Sequence, residues 1–430
     1  ISISSFVVLL FCGLVILLNV YTMQSTNNQT TKQLKQLKQL NNKNNKNMIR
    51  QTLEIWLEEL KTLFKDQGTI LFCLILPLTY PILYSWIYNN EVVREVPVVV
   101  VDDSHSALSR EFIQKFDASP DVSVAFQAGS IQEGKDLIGH GEAYGILYFP
   151  HDFGIKAGRH EQAFVSVYCD MSYMLTYKAI FQTATAVSGL LGDEIKTQMA
   201  GNYTSREEEI TTKPLDYEEV PIFNVTAGYG NFILPGVLIL VIQQAMFLAV
   251  GLLAGTDRER NFRSIRGVVP TLLGKGLAYF MIFFVMLSYT TLAVPRFFGF
   301  VMMMHLYDWV LFMIPFILSC VFFSIVMSDF VRYRENVMLI VVFTSVPMLF
   351  LSGISWPQNA LPKLWSAIAD FIPSTFGIRG FVRMSSMGAR IGDVLPEVRS
   401  LWIQVVAYGF LATLVIYRRR IKKAQLAGEE

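Results

Sequence analysis

The residues best suited to acid–base chemistry follow a run of valines. In VPVVVVDDSHS, Asp102 and Asp103 supply carboxylates, His105 supplies a base, and Ser104 and Ser106 supply hydroxyls. Open α/β sheets often bind ligands at the carboxyl ends of their strands, so this cluster is a candidate enzyme site. Aspartate, serine and histidine are also ordinary residues of turns and helix caps, and the pattern favours that interpretation.

Motifs for nucleotide hydrolysis or metal catalysis do not occur in the sequence. The string nearest to a phosphate-binding loop, GVVPTLLGKG, has the wrong glycine spacing and lacks Ser or Thr after Lys275. His151 and His160 do not have the H-E-x-x-H spacing of a zinc site, and there is no G-x-S-x-G elbow. We therefore predict no catalytic residue, no metal ligand and no cofactor for this chain.

Two adjacent amides interrupt a long apolar run, GVLILVIQQAMFLAVGLL. Polar groups inside a bilayer are costly and usually serve a purpose. Gln243 and Gln244 therefore either form hydrogen bonds between helices or line a translocation path. The sequence leaves both alternatives open.

The loop DRERNFRSIR carries mixed charge between two apolar runs. Its residues Arg258, Glu259, Arg260 and Arg263 are candidates for gripping a partner protein. The alternative is that the arginines only set topology, since basic residues accumulate in cytoplasmic loops. Topology alone does not need the acidic residues of this loop, which slightly favours a partner.

The composition requires a membrane. Hydrophobic residues make up 52% of the 430 residues and charged residues only 17%, whereas an average soluble domain is about one quarter charged. Residues 91–222 contain 21 acidic and 10 basic side chains, and the remainder contains 14 acidic and 26 basic. This asymmetry predicts an acidic domain outside the membrane and basic loops in the cytoplasm.

Six apolar runs are long enough to be predicted as membrane spans. Their bounds are Thr69–Tyr88, Asn231–Ala254, Leu272–Val294, Trp309–Met327, Val337–Ile354 and Leu401–Tyr417. The charges of the loops place both ends of the 48–430 chain in the cytoplasm, including the basic tail 418–430. The last five spans form a domain over 229–417 that contains the cytoplasmic loop 255–270.

Residues 89–228 alternate strand and helix patterns, which predicts a mixed or parallel sheet covered by helices. The predicted fold class is therefore an α-helical polytopic membrane protein of six spans with an inserted extracytoplasmic α/β domain.

Three further segments allow two interpretations each. Segment 1–47 is an extra anchor followed by a low-complexity linker, or Met48 is the native start, which we favour. Segment 48–68 predicts an amphipathic helix that lies along the membrane interface or packs on a cytosolic partner. Segment 355–398 mixes short helical pieces with prolines, and it either re-enters the outer leaflet or lies on the outer surface.

Several stretches, in this order, resemble a known family. They resemble the ATP-binding-cassette type-2 permease family, the bacterial exporter permeases. The stretches are the amphipathic helix before a proline-rich span, VPVVVVDDSHSALSREFIQKF, NFILPGVLILVIQQ and LSGISWPQNALPKLWSAIADFIPSTFGIRGFVRMSSMGA. The family-like positions are Asn231, Pro235, Gly236, Gly353, Pro357, Pro362, Pro373, Arg379 and Gly380. Members of the family often carry a glutamate-rich loop with a Gly–Thr pair after the second span. In the corresponding loop of this chain, DRERNFRSIR, only Arg258, Glu259 and Arg260 match that loop well, and the Gly–Thr pair is missing.

The resemblance implies a permease subunit that exports a drug, lipid or polymer across the bacterial inner membrane. It implies a second permease copy or a paralogue as partner, and cytosolic ATPase subunits that bind ATP and magnesium. The resemblance further implies a periplasmic adaptor and an outer-membrane channel as partners, and contact with membrane lipid. It implies no nucleic-acid partner. The loop at Arg258 would then couple the ATPase to the spans.

Two other functions remain open at this point. A membrane-anchored enzyme would use a pocket near Asp102 and His105. A non-transporting scaffold or receptor would share the outer domain but would have no ATPase partner.

Overall fold

The computed structural model describes residues 48–159, 161–201, 204, 207, 222–224, 228–259, 267–331 and 333–426. The predicted extension 1–47, His160, Arg260, Arg263 and the end of the predicted tail, 427–430, lie outside these residues. The described residues form two compact units. The membrane unit comprises the described parts of Ile1–Asn89 and Gly230–Glu430, and the sheet unit comprises those of Asn90–Tyr229.

The helices are numbered in chain order over the described residues. Helices α1 to α13 comprise 48–63, Gln67–Ile87, Ala107–Asp117, Ile131–Gly139, Phe153–Gly158, Met174–Ala200, Tyr229–Glu259, Val268–Phe298, Leu306–Met327, Asn336–Leu351, Lys363–Ala369, Pro373–Met387 and Leu395–Leu426. Strands β1 to β4 comprise Val96–Asp102, Val122–Gln127, Gly145–Phe149 and Ser166–Cys169.

Five of the described helices are long and apolar enough to cross a membrane. They are α2, α7, α8, α9 and the part Leu395–Ile421 of α13, and each overlaps one predicted span. Helix α10 is apolar but has only 16 residues, which at 1.5 Å per residue falls short of a hydrocarbon core about 30 Å thick. The sixth span therefore stays a prediction.

Helix α7 lies in the middle of the membrane unit. It is apolar on all sides, and its residues from Leu238 to Gly255 are almost all buried, as expected for a helix without a polar face. Helices α9 and α13 pack extensively on each other. The core beside them holds fully buried rings of α9, Phe312 and Phe316, together with Trp309.

Two of the spanning helices contain a wide turn just before a proline. The π-helical segment Leu71–Ile75 precedes Pro77 in α2, and Tyr289–Ala293 precedes Pro295 in α8. Proline cannot donate the backbone hydrogen bond of a regular turn, so a local widening of the helix is a common accommodation. The hydroxyl of Tyr289 donates to the carbonyl of Leu78 at 3.3 Å, so the two irregular regions contact each other.

The sheet unit contains one four-stranded mixed sheet in the order β2-β1-β3-β4. Strand β1 pairs in parallel with β2 and β3, and β4 runs antiparallel to β3. Both faces of β1 are buried, which explains its uninterrupted valines. Helices α3 and α6 cover the face of Val98 and Val100, while α4 covers the face of Val99 and Val101.

The segment after α10 consists of short helical pieces. A single 3-10 turn, Gln358–Ala360, leads to α11 and then to α12. Leu364, Trp365 and Ile368 of α11 are exposed. Whether this segment re-enters the membrane or lies on its surface stays a prediction.

Candidate functional site

Ten residues of the membrane unit form three groups of ion pairs and hydrogen bonds, and each group includes at least one residue from the end of α7. We call the three groups together the helix-end network. It consists of Glu59, Asp66, Thr256, Asp257, Arg258, Glu259, Lys275, Asp329, Arg334 and Arg419. These residues come from α1, from the start of α2, from the end of α7, from α8, from the α9–α10 connection and from α13.

Glu59 is the most buried member of the network. Helix α1 buries one face at a spacing of four residues, with Ile55, Glu59 and Leu63 on that face. The Glu59 carboxylate has no exposed surface, and its Oε1 accepts a hydrogen bond of 2.7 Å from the hydroxyl of Tyr279. Lys275 Nζ lies 3.5 Å from the same oxygen. A buried charge needs such partners because its desolvation is costly.

Lys275 joins α1 to the end of α7 through α8. Its Nζ lies 3.3 Å from Asp257 Oδ2 and 3.5 Å from Glu59 Oε1. One ammonium group thus pairs with carboxylates from two different helices. Helix α1 also packs closely here, because a Cβ added at Gly274 would lie 2.9 Å from the carbonyl oxygen of Thr52.

Arg334 and Asp66 form a two-pronged ion pair. Arg334 Nη1 lies 2.5 Å from Asp66 Oδ2 and Nη2 lies 2.6 Å from Oδ1, the geometry in which guanidinium binds carboxylate most strongly. Asp66 also caps α2 by accepting the N–H of Thr69 at 2.9 Å. Burial raises the pKa of Asp66, but the hydrogen bonds from Arg334 and Thr69 and the charge of Arg334 outweigh it and hold the pKa below its usual value.

The end of α7 also contacts Arg334. Glu259 Oε1 accepts the backbone N–H of Arg334 at 2.8 Å, and Thr256 Oγ1 accepts Arg334 Nη1 at 3.0 Å. The start of α2, the end of α7 and the α9–α10 connection are therefore joined at one residue.

Arg258 lies on the other side of the α7 terminus and pairs with Asp329 at 2.9 Å. Arg419 of α13 pairs with the same Asp329 oxygen at 3.0 Å and donates to Ser328 Oγ at 3.3 Å. Arg258 and Glu259 thus contact other parts of the membrane unit, whereas Arg260 and Arg263 lie outside the described residues. The role of these four residues in gripping a partner stays a prediction.

Gln243 and Gln244 lie at a junction of four elements in the core. Gln243 Oε1 accepts the backbone N–H of Ser374 at 2.6 Å, in the first turn of α12 where a helix has free donors. It also accepts the thiol of Cys320 at 3.8 Å, and both amides donate to the Met348 sulfur, at 3.6 Å from Gln243 and 3.1 Å from Gln244. These contacts are hydrogen bonds between helices, and a role of the two amides in a translocation path stays a prediction.

The family-like motif residues occupy structural positions. Asn231 Oδ1 accepts the N–H of Val301 at 2.9 Å, and Pro235 lies inside α7. A Cβ added at Gly236 would lie 1.6 Å from Ile354 Cδ1, and one at Gly380 would lie 2.3 Å from the Phe312 ring, so a larger residue at either position would require these side chains to shift.

The motif residues of the later segment mark its turns. Gly353 has a φ of +89°, a conformation that favours glycine. Pro357 and Pro362 immediately precede the 3-10 turn and α11, and Pro373 is the first residue of α12, where proline is well tolerated. Arg379 of α12 lies over the ring of Phe376, 5.3 Å from its centre.

The candidate enzyme cluster of the sheet unit is a turn and a helix cap. Asp102 Oδ1 accepts the N–H groups of Ser104 and His105, each at 3.0 Å, and its Oδ2 accepts the Ser109 hydroxyl at 2.8 Å. Ser106 and Ser109 cap α3 reciprocally. Elsewhere, Asp103 accepts the hydroxyl of Tyr148 at 3.0 Å and its carbonyl lies 3.3 Å from His151 Nδ1. Among the described residues, no three His, Cys, Asp or Glu side chains are grouped to hold a metal ion.

Sequence reasoning missed the most buried part of the network. Glu59 carried a detectable signal, since it lies four residues from both Ile55 and Leu63 on the apolar face of α1. Lys275 gives no signal in the sequence beyond its place in a string that lacks the spacing of a phosphate-binding loop. Nothing in the sequence pairs Asp66 with Arg334, which lie 268 positions apart.

Comparison with known proteins gives one family match over most of the chain. Residues 68–414 match the family model described as ABC-2 family transporter protein. The chain is similar to the linearmycin resistance permease protein LnrN of Bacillus subtilis, with 22% identity over 367 residues, covering 78% of this chain and 91% of LnrN.

Two further relatives match shorter regions. The inner membrane transport permease YadH of Escherichia coli is 23% identical over 204 residues, covering 45% of this chain and 77% of YadH. Nodulation protein J of Rhizobium leguminosarum is 34% identical over 76 residues, covering 18% of this chain and 29% of that protein.

Proposed function

The chain belongs to the ABC-2 family of transporter proteins as a membrane permease subunit, and we propose that it is the membrane-spanning half of an exporter. A separate ATP-binding-cassette ATPase drives the export cycle and binds the ATP and magnesium. The chain is a multi-pass inner-membrane protein. We also propose a direction of transport, an orientation in the membrane and a path by which the ATPase is coupled to the spans.

The helix-end network is the observation that carries the coupling proposal. Asp257, Arg258 and Glu259 follow one another at the end of α7, and each contacts a different partner outside α7: Lys275, Asp329 and the Arg334 backbone. A displacement of the α7 end therefore acts on α1, α2, α8 and α13 together. Packed, hydrogen-bonded elements of this kind transmit motion as discrete shifts rather than by gradual bending.

In the proposed cycle, the ATPase pushes on the segment after Glu259, which contains Arg260 and Arg263. The pair of Arg258 with Asp329 and the hydrogen bond of Glu259 with the backbone N–H of Arg334 pass the movement to the α9–α10 connection. Lys275 passes it to Glu59 and hence to α1. The spans then reorient and release substrate on the opposite side.

The charge distribution supports the orientation that we propose. Besides five carboxylates, the network contains four basic residues, and one of them, Arg419, lies between Arg418 and Arg420 in α13. Basic residues concentrate on the cytoplasmic side of membrane proteins. Both ends of the 48–430 chain are therefore cytoplasmic in this proposal, and the acidic sheet unit is outside.

Three further partners belong to the proposal because the family resemblance implies them. A second permease copy or a paralogue completes the membrane-spanning part. A periplasmic adaptor and an outer-membrane channel receive the substrate, and the sheet unit is their docking surface.

The substrate class follows from one relative. LnrN is named a linearmycin resistance permease, so we propose that this chain exports an antibiotic and confers resistance to it. A membrane-anchored enzyme is not favoured, because Asp102 is already engaged by three donors of its own turn and helix cap.

A deletion strain tests direction and substrate class together. Strains without the chain, with the chain, and with the Arg258→Glu chain are compared for the cellular accumulation of a panel of antibiotics. We expect higher accumulation of at least one compound in the deletion strain and in the Arg258→Glu strain. Lower accumulation without the chain would indicate import, and no difference for any compound would contradict this substrate class.

A further inference from the structure

The sheet unit contains a cleft between α3, α5 and α6 that the transport proposal does not use. Its volume is about 270 Å³. Leu108 and Phe112 of α3, Phe153 of α5 and Leu191 and Ile195 of α6 line it. All of these residues belong to the sheet unit, so the cleft is a property of that unit by itself.

The floor of the cleft is rigid and aromatic. The rings of Phe112 and Phe153 each meet the fully buried ring of Phe149 edge to face, at 5.3 Å and 5.2 Å between centres. Such contacts fix ring orientation. The cleft is therefore built on the core of the sheet, not on surface loops.

Glycine keeps the α6 wall of the cleft open. Ser188 and Gly192 lie one turn apart on the lining face of this 27-residue helix. A Cβ added at Gly192 would find nothing within 4 Å. After proline, glycine is the least favourable residue for a helix interior. No nearby atom would clash with a larger side chain at position 192, so packing does not explain the glycine. Its effect in the structure is to leave space where a side chain would project.

The size of the cleft limits what fits. An enclosed apolar cavity of about 150 Å³ holds one benzene ring, so an open cleft of about 270 Å³ has room for a body of roughly two fused rings. Ligand sites combine such apolar walls with a few polar groups that select orientation. Of the described residues that line the cleft, Glu161 is the ionisable one, beside the neutral Gln162 and Ser188.

We propose that this cleft binds a small amphipathic cation, with a two-ring apolar body against Phe112 and Phe153 and a positive end toward Glu161. The acidic excess of the region, 21 acidic against 10 basic residues over 91–222, favours a cationic ligand over an anionic one. Binding requires neither nucleotide nor an ATPase, so the site is independent of the transport proposal.

The test uses the full chain in lipid nanodiscs and equilibrium dialysis with 1-naphthylmethylamine, a two-ring aromatic amine that is protonated at pH 7. Empty nanodiscs give the background of membrane partition. We expect saturable binding above this background. 1-Naphthylacetate, which carries a carboxylate on the same rings, should bind more weakly.

Two leucine substitutions on α6 provide the matched comparison. Gly192→Leu fills the cleft and should raise the Kd of the amine by about tenfold or more. Gly189→Leu, on the same helix with open space around it but not lining the cleft, should leave the Kd unchanged. Ser188→Leu provides a second filling variant if Gly192→Leu does not fold. Glu161→Gln should raise the Kd of the amine and reduce the difference between its Kd and that of 1-naphthylacetate.

Three results would overturn the proposal. The first is the absence of saturable binding by the wild-type chain, including the case in which another part of the protein fills the cleft. The second is binding that the filling variants and Gly189→Leu change equally. The third is equal or tighter binding of 1-naphthylacetate. None of these results bears on ATP-driven transport, which the deletion strain tests separately.

Discussion

Oε1 of Glu59 in α1 and Nζ of Lys275 in α8 lie 3.5 Å apart, and the Glu59 carboxylate has no exposed surface. The pair joins the helix that precedes the first span to a spanning helix 216 positions later in the chain. Lys275 also pairs with Asp257, so the buried carboxylate is linked to the end of α7 through a single ammonium group.

Neutralising Glu59 should destabilise the protein. Glu59→Gln removes the charge of the carboxylate that accepts the hydrogen bond of Tyr279 and lies beside Lys275. We expect the free energy of unfolding to fall by about 2–3 kcal/mol, within the range for buried charged hydrogen bonds. Unfolding in a titration with sodium dodecyl sulfate measures it. The control is Glu58→Gln on the exposed side of α1, which should change stability by about 0.5 kcal/mol or less. Equal losses in both variants would show that the buried pair has no special role.

The pair of Asp66 and Arg334 predicts a pH effect. The pKa of Asp66 is lower in the folded protein than its ordinary value of about 3.9, so the ionised group stabilises the fold fully above that value. This contribution is lost as the pH falls through the ordinary pKa toward the lower folded pKa. The stability of Asp66→Asn should therefore fall less steeply than that of the wild type as the pH is lowered below about 5. Parallel pH profiles would contradict the assignment.

Arg334→Lys tests the two-pronged geometry at the same site. Lysine keeps the charge but cannot donate both bonds in a fork, so we expect reduced ATP-driven transport with little change in the amount of assembled complex. Transport in proteoliposomes and recovery of the complex measure the two effects. Full transport by Arg334→Lys would show that charge alone suffices.

Reversal of Arg258 should separate coupling from stability. The pair with Asp329 is partly exposed, with 25% and 40% of the two side chains accessible, so its loss and the repulsion that replaces it should together cost about 2 kcal/mol or less. The Arg258→Glu complex should nevertheless lose ATP-driven transport, because two carboxylates would then face each other beside Arg419. Arg258→Lys keeps the charge and should retain most transport. Normal transport by Arg258→Glu would exclude this pair from the coupling path.

Replacing Gln243 should weaken the attachment of the first turn of α12 to α7. Gln243→Leu leaves the buried N–H of Ser374 without its acceptor, at a cost of about 1–3 kcal/mol. Gln244→Leu loses only a contact with the weakly accepting Met348 sulfur among the hydrogen bonds described above, so it should cost less. Unfolding of both variants gives the comparison. A larger loss for Gln244→Leu would contradict the assigned contacts.

The sequence predicts the elements of this protein better than their contacts. Hydropathy locates the five long apolar helices, and the alternation of strand and helix patterns over 89–228 predicts the mixed sheet that the structure contains. These are local signals, set by the period of apolar residues. The cap at Asp102 was also predictable, because side-chain caps depend on residues only a few positions away.

Long-range polar pairs were not predictable. Glu59 and Lys275, or Asp66 and Arg334, are brought together by helix packing that no local pattern specifies. Arginines such as Arg258 suggested a partner-binding loop, but the sequence could not reveal that Arg258 is paired within the membrane unit. Gln243 was recognisable as a polar residue in an apolar span, and only the structure identifies Ser374 as its donor.

The most direct test of the account is ATP hydrolysis by the complex purified through a tag on this chain. We predict that an ATP-binding-cassette ATPase copurifies with it. We also predict that Arg258→Glu lowers the ATPase activity of the complex while leaving the amount of bound ATPase nearly unchanged. Purification of the chain from its native membranes without any such ATPase, or unchanged activity in the Arg258→Glu complex, would contradict the coupling function of the helix-end network.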